Sequence, residues 1–116
     1  LADGIRATAT PFGVSHVAQR AALAALRVTE ELEDRVEALV AERARLVDGL
    51  REQGWTVPQT EANFVWLPLG ERTATCAAEA AAAGAVVRPF AGEGIRVSVG
   101  EREATDLFLK VAATWR

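Results

Sequence analysis

Two arginines hold the most chemically suggestive positions of this 116-residue chain. Arg88 stands in Val-Val-Arg-Pro-Phe and Arg96 in Gly-Ile-Arg-Val-Ser-Val, on either side of the turn-like Ala91-Gly92-Glu93-Gly94. A guanidinium is a planar fork that grips a carboxylate or phosphate at two points. On adjacent strands, beside a Gly-rich turn and Phe90, the pair reads as a small-anion clamp. The same residues fit a solvated sheet edge, or an ion pair with a nearby acid such as Glu93.

Other reactive groups have plainer readings. Ser15 and His16 are neighbours on a predicted helix and do not face each other, and no Gly-x-Ser-x-Gly elbow is present, so Ser15 reads as a cap. Cys76 lies in an alanine-rich helix without an obvious base and reads as a small buried packing residue. Gly92-Glu93-Gly94 opens a strand, whereas a phosphate loop opens a helix, so a tight hairpin is expected there. Half of the sixteen acids fall on the polar side of one long helix. With one histidine and one cysteine, no metal site of nitrogen and sulfur ligands is expected. Lys110 is the only lysine among thirteen basic residues, which limits chemistry that needs an amine nucleophile.

These residues need elements to hold them. Residues 1–10 lack periodicity and read as an extended arm ending at Pro11. Ser15 caps a predicted helix to Leu26, with Val17, Ala18, Ala21, Ala22 and Ala25 on one face. Thr29 is the expected cap of a long helix, with Glu30, Glu31, Glu33 and Asp34 at its positive end. Leu32, Val36, Leu39, Val40, Leu46, Val47 and Leu50 form its apolar stripe, Glu31 pairs with Arg35, and Gly54 stops it. Strands are predicted at Trp55–Val57, Asn63–Leu67, Ala85–Phe90 and Ile95–Val99. Thr73–Ala83 is an alanine helix closed by Gly84, and a final helix runs from Glu101 with Ala104, Leu107, Val111 and Trp115 on one side. In the last strand Ile95, Val97 and Val99 share one face, and Arg96 and Ser98 the other. The order predicts an α+β fold, with a small antiparallel or mixed sheet of three to four strands covered by helices.

Composition sets the frame. Half the residues are apolar and a quarter charged, ordinary for one globular domain spanning 1–116. A net charge of −3 argues against nucleic-acid binding. No apolar run approaches the roughly 18 residues of a membrane span, so no membrane is expected and the cytoplasm is the default location. There is no methionine, and Leu1 stands first, so the start has been removed or the chain belongs to something longer.

Pro11-Phe12-Gly13-Val14-Ser15-His16-Val17-Ala18-Gln19, Glu42-Arg43, Ala62-Asn63-Phe64-Val65, Val87-Arg88-Pro89-Phe90 and Gly94-Ile95-Arg96-Val97-Ser98-Val99-Gly100 occur in this order. The series resembles the C-terminal portion of fold type I pyridoxal-phosphate aminotransferases, in the branch of histidinol-phosphate and aromatic amino acid aminotransferases. The likeness runs from about Pro11 to the end. It implies the family's small domain, with residues 1–10 an arm from the interdomain region. Arg96 then matches the clamp for a substrate carboxylate or for the phosphate of histidinol phosphate, and Arg88 a second arginine near that anion. Asn63 matches a recurrent position and is expected to be structural.

The resemblance also implies what is missing. The lysine that forms a Schiff base with pyridoxal 5'-phosphate lies upstream of Pro11 in this family, in a Ser-x-x-Lys context, and Lys110 does not match it. No catalytic or cofactor-binding residue is therefore expected in this chain, and the large domain is expected to hold the cofactor. The basic, apolar lead-in common before the proline is absent from residues 1–10. Glu103-Ala104-Thr105-Asp106 replaces a more usual Glu-Asn-Asp arrangement. The implied activity moves an amino group between an aromatic amino acid or histidinol phosphate and a 2-oxo acid, in a cytoplasmic homodimer, with the 116 residues alone inactive. Two readings of other classes remain: a non-catalytic module binding a small anion through Arg96 and Arg88, and an interaction domain using the Val14–Ala25 helix.

Overall fold

The computed structural model describes residues 2–9 and 12–116. They form two compact units, one up to Asp34 and one from Arg35 to Arg116. The first holds α1 (Ala2–Thr8), α2 (His16–Ala25) and the start of α3 (Thr29–Glu52). The second holds the rest of α3, then β1 (Phe64–Pro68), a 3-10 turn (Gly70–Arg72), α4 (Thr73–Ala82), β2 (Arg88–Phe90), β3 (Gly94–Ser98) and α5 (Arg102–Ala113).

In the first unit the expected arm is helical between Ala2 and Thr8. Alanines favour the helix, Asp3 suits its positive end, and the Thr8 hydroxyl donates to the Gly4 and Ile5 carbonyls. Leu1, Thr10 and Pro11 lie outside the described residues. Ser15 caps α2 as expected, its Oγ accepting from the Ala18 N–H at 3.2 Å. The small-residue face of α2 is not buried: no residue of this helix is.

In the second unit three antiparallel strands lie in the order β1-β3-β2. The α+β prediction holds. One apolar cluster joins Val65, Leu67, Ile95 and Val97 of the sheet to Leu46 and Leu50 of α3, Cys76 and Ala80 of α4, and Phe108, Val111 and Ala112 of α5. Trp115 stands edge-on to both Trp55 (6.4 Å) and Phe108 (5.8 Å). Burying each large side chain contributes roughly 1.5–3 kcal/mol. The cluster meets α3 only from Leu39 onward; Leu32, Val36 and Val40 of the predicted stripe are exposed.

Several expectations need correction. Thr29 is the first residue of α3, not its cap, and Glu31 does not pair with Arg35. Both side chains are exposed, where water competes with such pairs. Trp55–Val57 is not a strand. The Trp55 N–H closes α3 on the Leu50 carbonyl, and Pro58 has no N–H for a ladder. The third predicted strand, Ala85–Phe90, is shorter than expected, since β2 begins at Arg88. Gly54 (φ 83°) and Gly84 (φ 91°) end their helices in the left-handed conformation expected of helix stops.

Candidate functional site

Strand pleating decides which side chains meet. Ile95 and Val97 point into the core and are fully or almost fully buried, so Arg96 points to the opposite face. The register sets Arg96 directly opposite Trp66 on β1 and opposite Arg88 on β2. Phe64 lies opposite Ser98, and Phe90 opposite Gly94. One face of the sheet therefore carries Phe64, Trp66, Arg88, Phe90, Arg96 and Ser98, while the helices pack on the other.

The aromatics frame the cations. Trp66 and Phe90 meet edge-to-face at 5.5 Å. The Arg88 guanidinium carbon sits 5.5 Å from the Phe90 ring centre, and that of Arg96 5.2 Å from Phe64. Such stacking holds a guanidinium without using its N–H donors. Gly94 makes room for this: a Cβ there would run into the Leu67 carbonyl oxygen and come within 2.8 Å of the Trp66 ring.

The expected hairpin is present, with Gly92 at φ 74° and the Glu93 N–H donating to the Phe90 carbonyl at 3.0 Å. The Glu93 carbonyl accepts from the Leu69 and Gly70 N–H groups, which ties the turn to the end of β1. The ion-pair alternative fails, because Glu93 pairs with neither arginine. Among the described residues no carboxylate neutralises Arg88 or Arg96. Two adjacent cations with free donors can bind a carboxylate or a phosphate.

The remaining sequence candidates lie elsewhere or do structural work. Cys76 is buried in the core face of α4, and desolvation pushes its thiol pKa up, with Arg72 pulling the other way. A thiol so placed is a poor nucleophile. His16 is exposed at the start of α2, and Lys110 is exposed on α5. The Asn63 carbonyl accepts the Val99 N–H at 2.8 Å, a strand-start role. Among the described residues no group of three or more His, Cys, Asp and Glu could hold a metal ion. No described helix is long and apolar enough to cross a membrane.

Glu42-Arg43 is an internal tie. Arg43 donates to the Ala62 carbonyl (3.1 Å) and to Glu61 (3.0 Å), fixing the approach to β1. Arg45 grips Glu42 with both Nε and Nη2 and reaches Asp106 (2.7 Å) and the Arg102 carbonyl, joining α3 to α5. The Arg45 hydrogen bonds hold the Glu42 carboxyl below its ordinary pKa, against a smaller opposing effect of burial. The β1 part of the aromatic frame escaped the sequence reading, which placed only Phe90 beside the arginines. Its signal is the alternation of Phe64 and Trp66 around Val65.

Comparisons with known proteins agree with the ordered motifs. The family model for class I and II aminotransferases matches residues 1–111. Proteins named aromatic amino acid aminotransferase are similar over the whole chain in Streptomyces avermitilis (64% identical) and Streptomyces coelicolor (61%). The chain spans about a third of the length of these curated relatives, 32% in each. Among solved structures, a putative aminotransferase from Burkholderia pseudomallei shares the fold with a TM-score of 0.78 at 24% identity, over 97% of this chain and 36% of that one. The histidinol-phosphate aminotransferase from Clostridium acetobutylicum aligns with a TM-score of 0.72 at 20% identity, over 98% and 37%.

Proposed function

Because the chain belongs to the class I and II aminotransferase family, we propose that it is the C-terminal small domain of a pyridoxal-phosphate-dependent transaminase acting on aromatic amino acids and 2-oxo acids. The observation that carries this reading is the pair of unneutralised arginines on a sheet face framed by aromatic rings. Aromatic substrates are favoured over histidinol phosphate because the relatives at 61–64% identity bear that name. The histidinol-phosphate enzyme is a fold-level neighbour at 20% identity. The same class reading makes the whole protein a cytoplasmic homodimer.

The cofactor does not fit these residues. Its aldehyde needs a lysine amine, and Lys110 is exposed on α5 in the helical layer, whereas the arginines occupy the opposite face of the sheet. Cofactor binding and proton transfer belong, on this reading, to the remainder of the enzyme. The work of this chain is to hold the substrate's anion. Arg96 anchors the carboxylate and Arg88 adds a second positive charge at the next strand. Anchoring the anion fixes the amino group relative to the reacting centre, which converts binding into orientation.

Arg96→Ala in the whole enzyme tests this. The expected loss in kcat/KM is about 2–4 kcal/mol, since a charge-paired anion loses its partner. An unchanged specificity constant for the amino acid excludes the clamp. The isolated chain is expected to show neither transaminase activity nor the visible absorbance of a lysine-bound cofactor. Tight, stoichiometric amino acid binding by the chain alone would instead favour a non-catalytic anion-binding module.

A further inference from the structure

We propose that Phe64 is the positioning residue for Arg96 and determines which edge of its guanidinium meets the substrate; the proposal rests on the clamp reading above. Arg96 has two aromatic neighbours on β1. Trp66 is directly opposite in the register, and Phe64, opposite Ser98, is the diagonal neighbour. A diagonal partner lies farther off but within reach of a long side chain. The ring over which the Arg96 guanidinium sits is that of Phe64, at 5.2 Å. Trp66 is turned toward Phe90.

The consequence concerns the donors. Arg96 is half-buried, and its Nε is shut away from solvent with no hydrogen-bond acceptor among the described residues. The exposed part of the group is then its far end, the two Nη atoms. An arginine can offer a carboxylate either the Nε and Nη edge or the Nη pair. Resting on Phe64, Arg96 offers the Nη pair, and the two oxygens of a single carboxylate match it. Phe64 touches no substrate in this arrangement; it holds the arginine in the one orientation that presents that pair.

The test is a double-mutant cycle in the whole enzyme, with Phe64→Leu, Phe64→Tyr, Arg96→Ala and the Phe64→Leu/Arg96→Ala double variant. Phe64→Leu is expected to raise KM for the amino acid about tenfold with kcat little changed. Phe64→Tyr, which keeps the ring, should restore it, and Phe64→Leu should add nothing once Arg96 is gone. A second readout needs no turnover. In the 116-residue chain, the Arg96 Nε–H should exchange with water more slowly by NMR than that of exposed Arg88, and Phe64→Leu should remove the difference. Equal Phe64→Leu effects with and without Arg96, or Nε–H exchange untouched by the substitution, overturn the positioning role alone. An Arg96→Ala enzyme with normal kcat/KM brings down the clamp and the positioning role together.

Discussion

Arg88 and Arg96 stand directly opposite each other on β2 and β3, and no acid among the described residues pairs with either. Like charges in this relation destabilise a sheet by up to about 1 kcal/mol. Arg88→Gln should therefore raise stability by a few tenths to about 1 kcal/mol in urea unfolding. Added phosphate should stabilise the native chain more than the variant, because it relieves the same repulsion. A variant less stable than the parent, with an unchanged response to phosphate, would refute this account of the pair.

Gly94 is the second point of leverage. A methyl group there meets the Leu67 backbone oxygen and the Trp66 ring, and backbone cannot step aside as a side chain can. Gly94→Ala should cost about 1–3 kcal/mol, the range for overpacking. It should also change Trp66 fluorescence in the folded state, best read in a Trp55→Phe/Trp115→Phe background. A neutral substitution with an unaltered spectrum would mean that β1 and β3 can separate freely.

The Glu42–Arg45–Asp106 tie predicts a pH dependence of definite sign. Arg45 holds the Glu42 carboxyl below its ordinary pKa, so the unfolded chain binds the proton more readily than the folded one. The stabilisation is complete above the unfolded value of roughly 4.3 and is lost as pH falls through the lower folded value. Glu42→Gln should be less stable than the parent near neutral pH and should lose less on acidification. Parallel pH–stability curves for the two proteins would rule out this source of acid sensitivity.

Cys76 should be kinetically inert. Its thiol is buried and its pKa is pushed up, so little thiolate exists at neutral pH. Iodoacetamide labelling of the folded chain is expected to be at least about a hundredfold slower than in urea. Equal rates would show that α4 opens readily.

Features that depend on a few neighbouring residues were legible in the sequence. The Ser15 cap, the Gly54 and Gly84 stops and the alternation of Ile95, Arg96 and Val97 each follow from local geometry. Features that depend on distant chain were not. Helical periodicity ran evenly from Leu32 to Leu50, yet only the stretch from Leu39 meets the sheet layer. Trp55 and Val57 are as apolar as a strand requires, but they are buried as loop residues in the apolar cluster, with Trp55 edge-on to Trp115. At the site, the two arginines could be placed on neighbouring strands from the short turn between them. The β1 aromatics could not, because Phe64 and Trp66 arrive through a pairing between β1 and β3 about 30 residues apart in sequence.

The β1-β3-β2 sheet has two open edges, and each carries a proline: Pro68 ends β1 and Pro89 is the middle residue of β2. A proline presents no N–H to an incoming strand, so neither edge offers an unbroken row of donors. The short, interrupted borders discourage a second molecule from adding to the sheet. A face rich in aromatic rings can then stay open to a small ligand without making the sheet a template for aggregation.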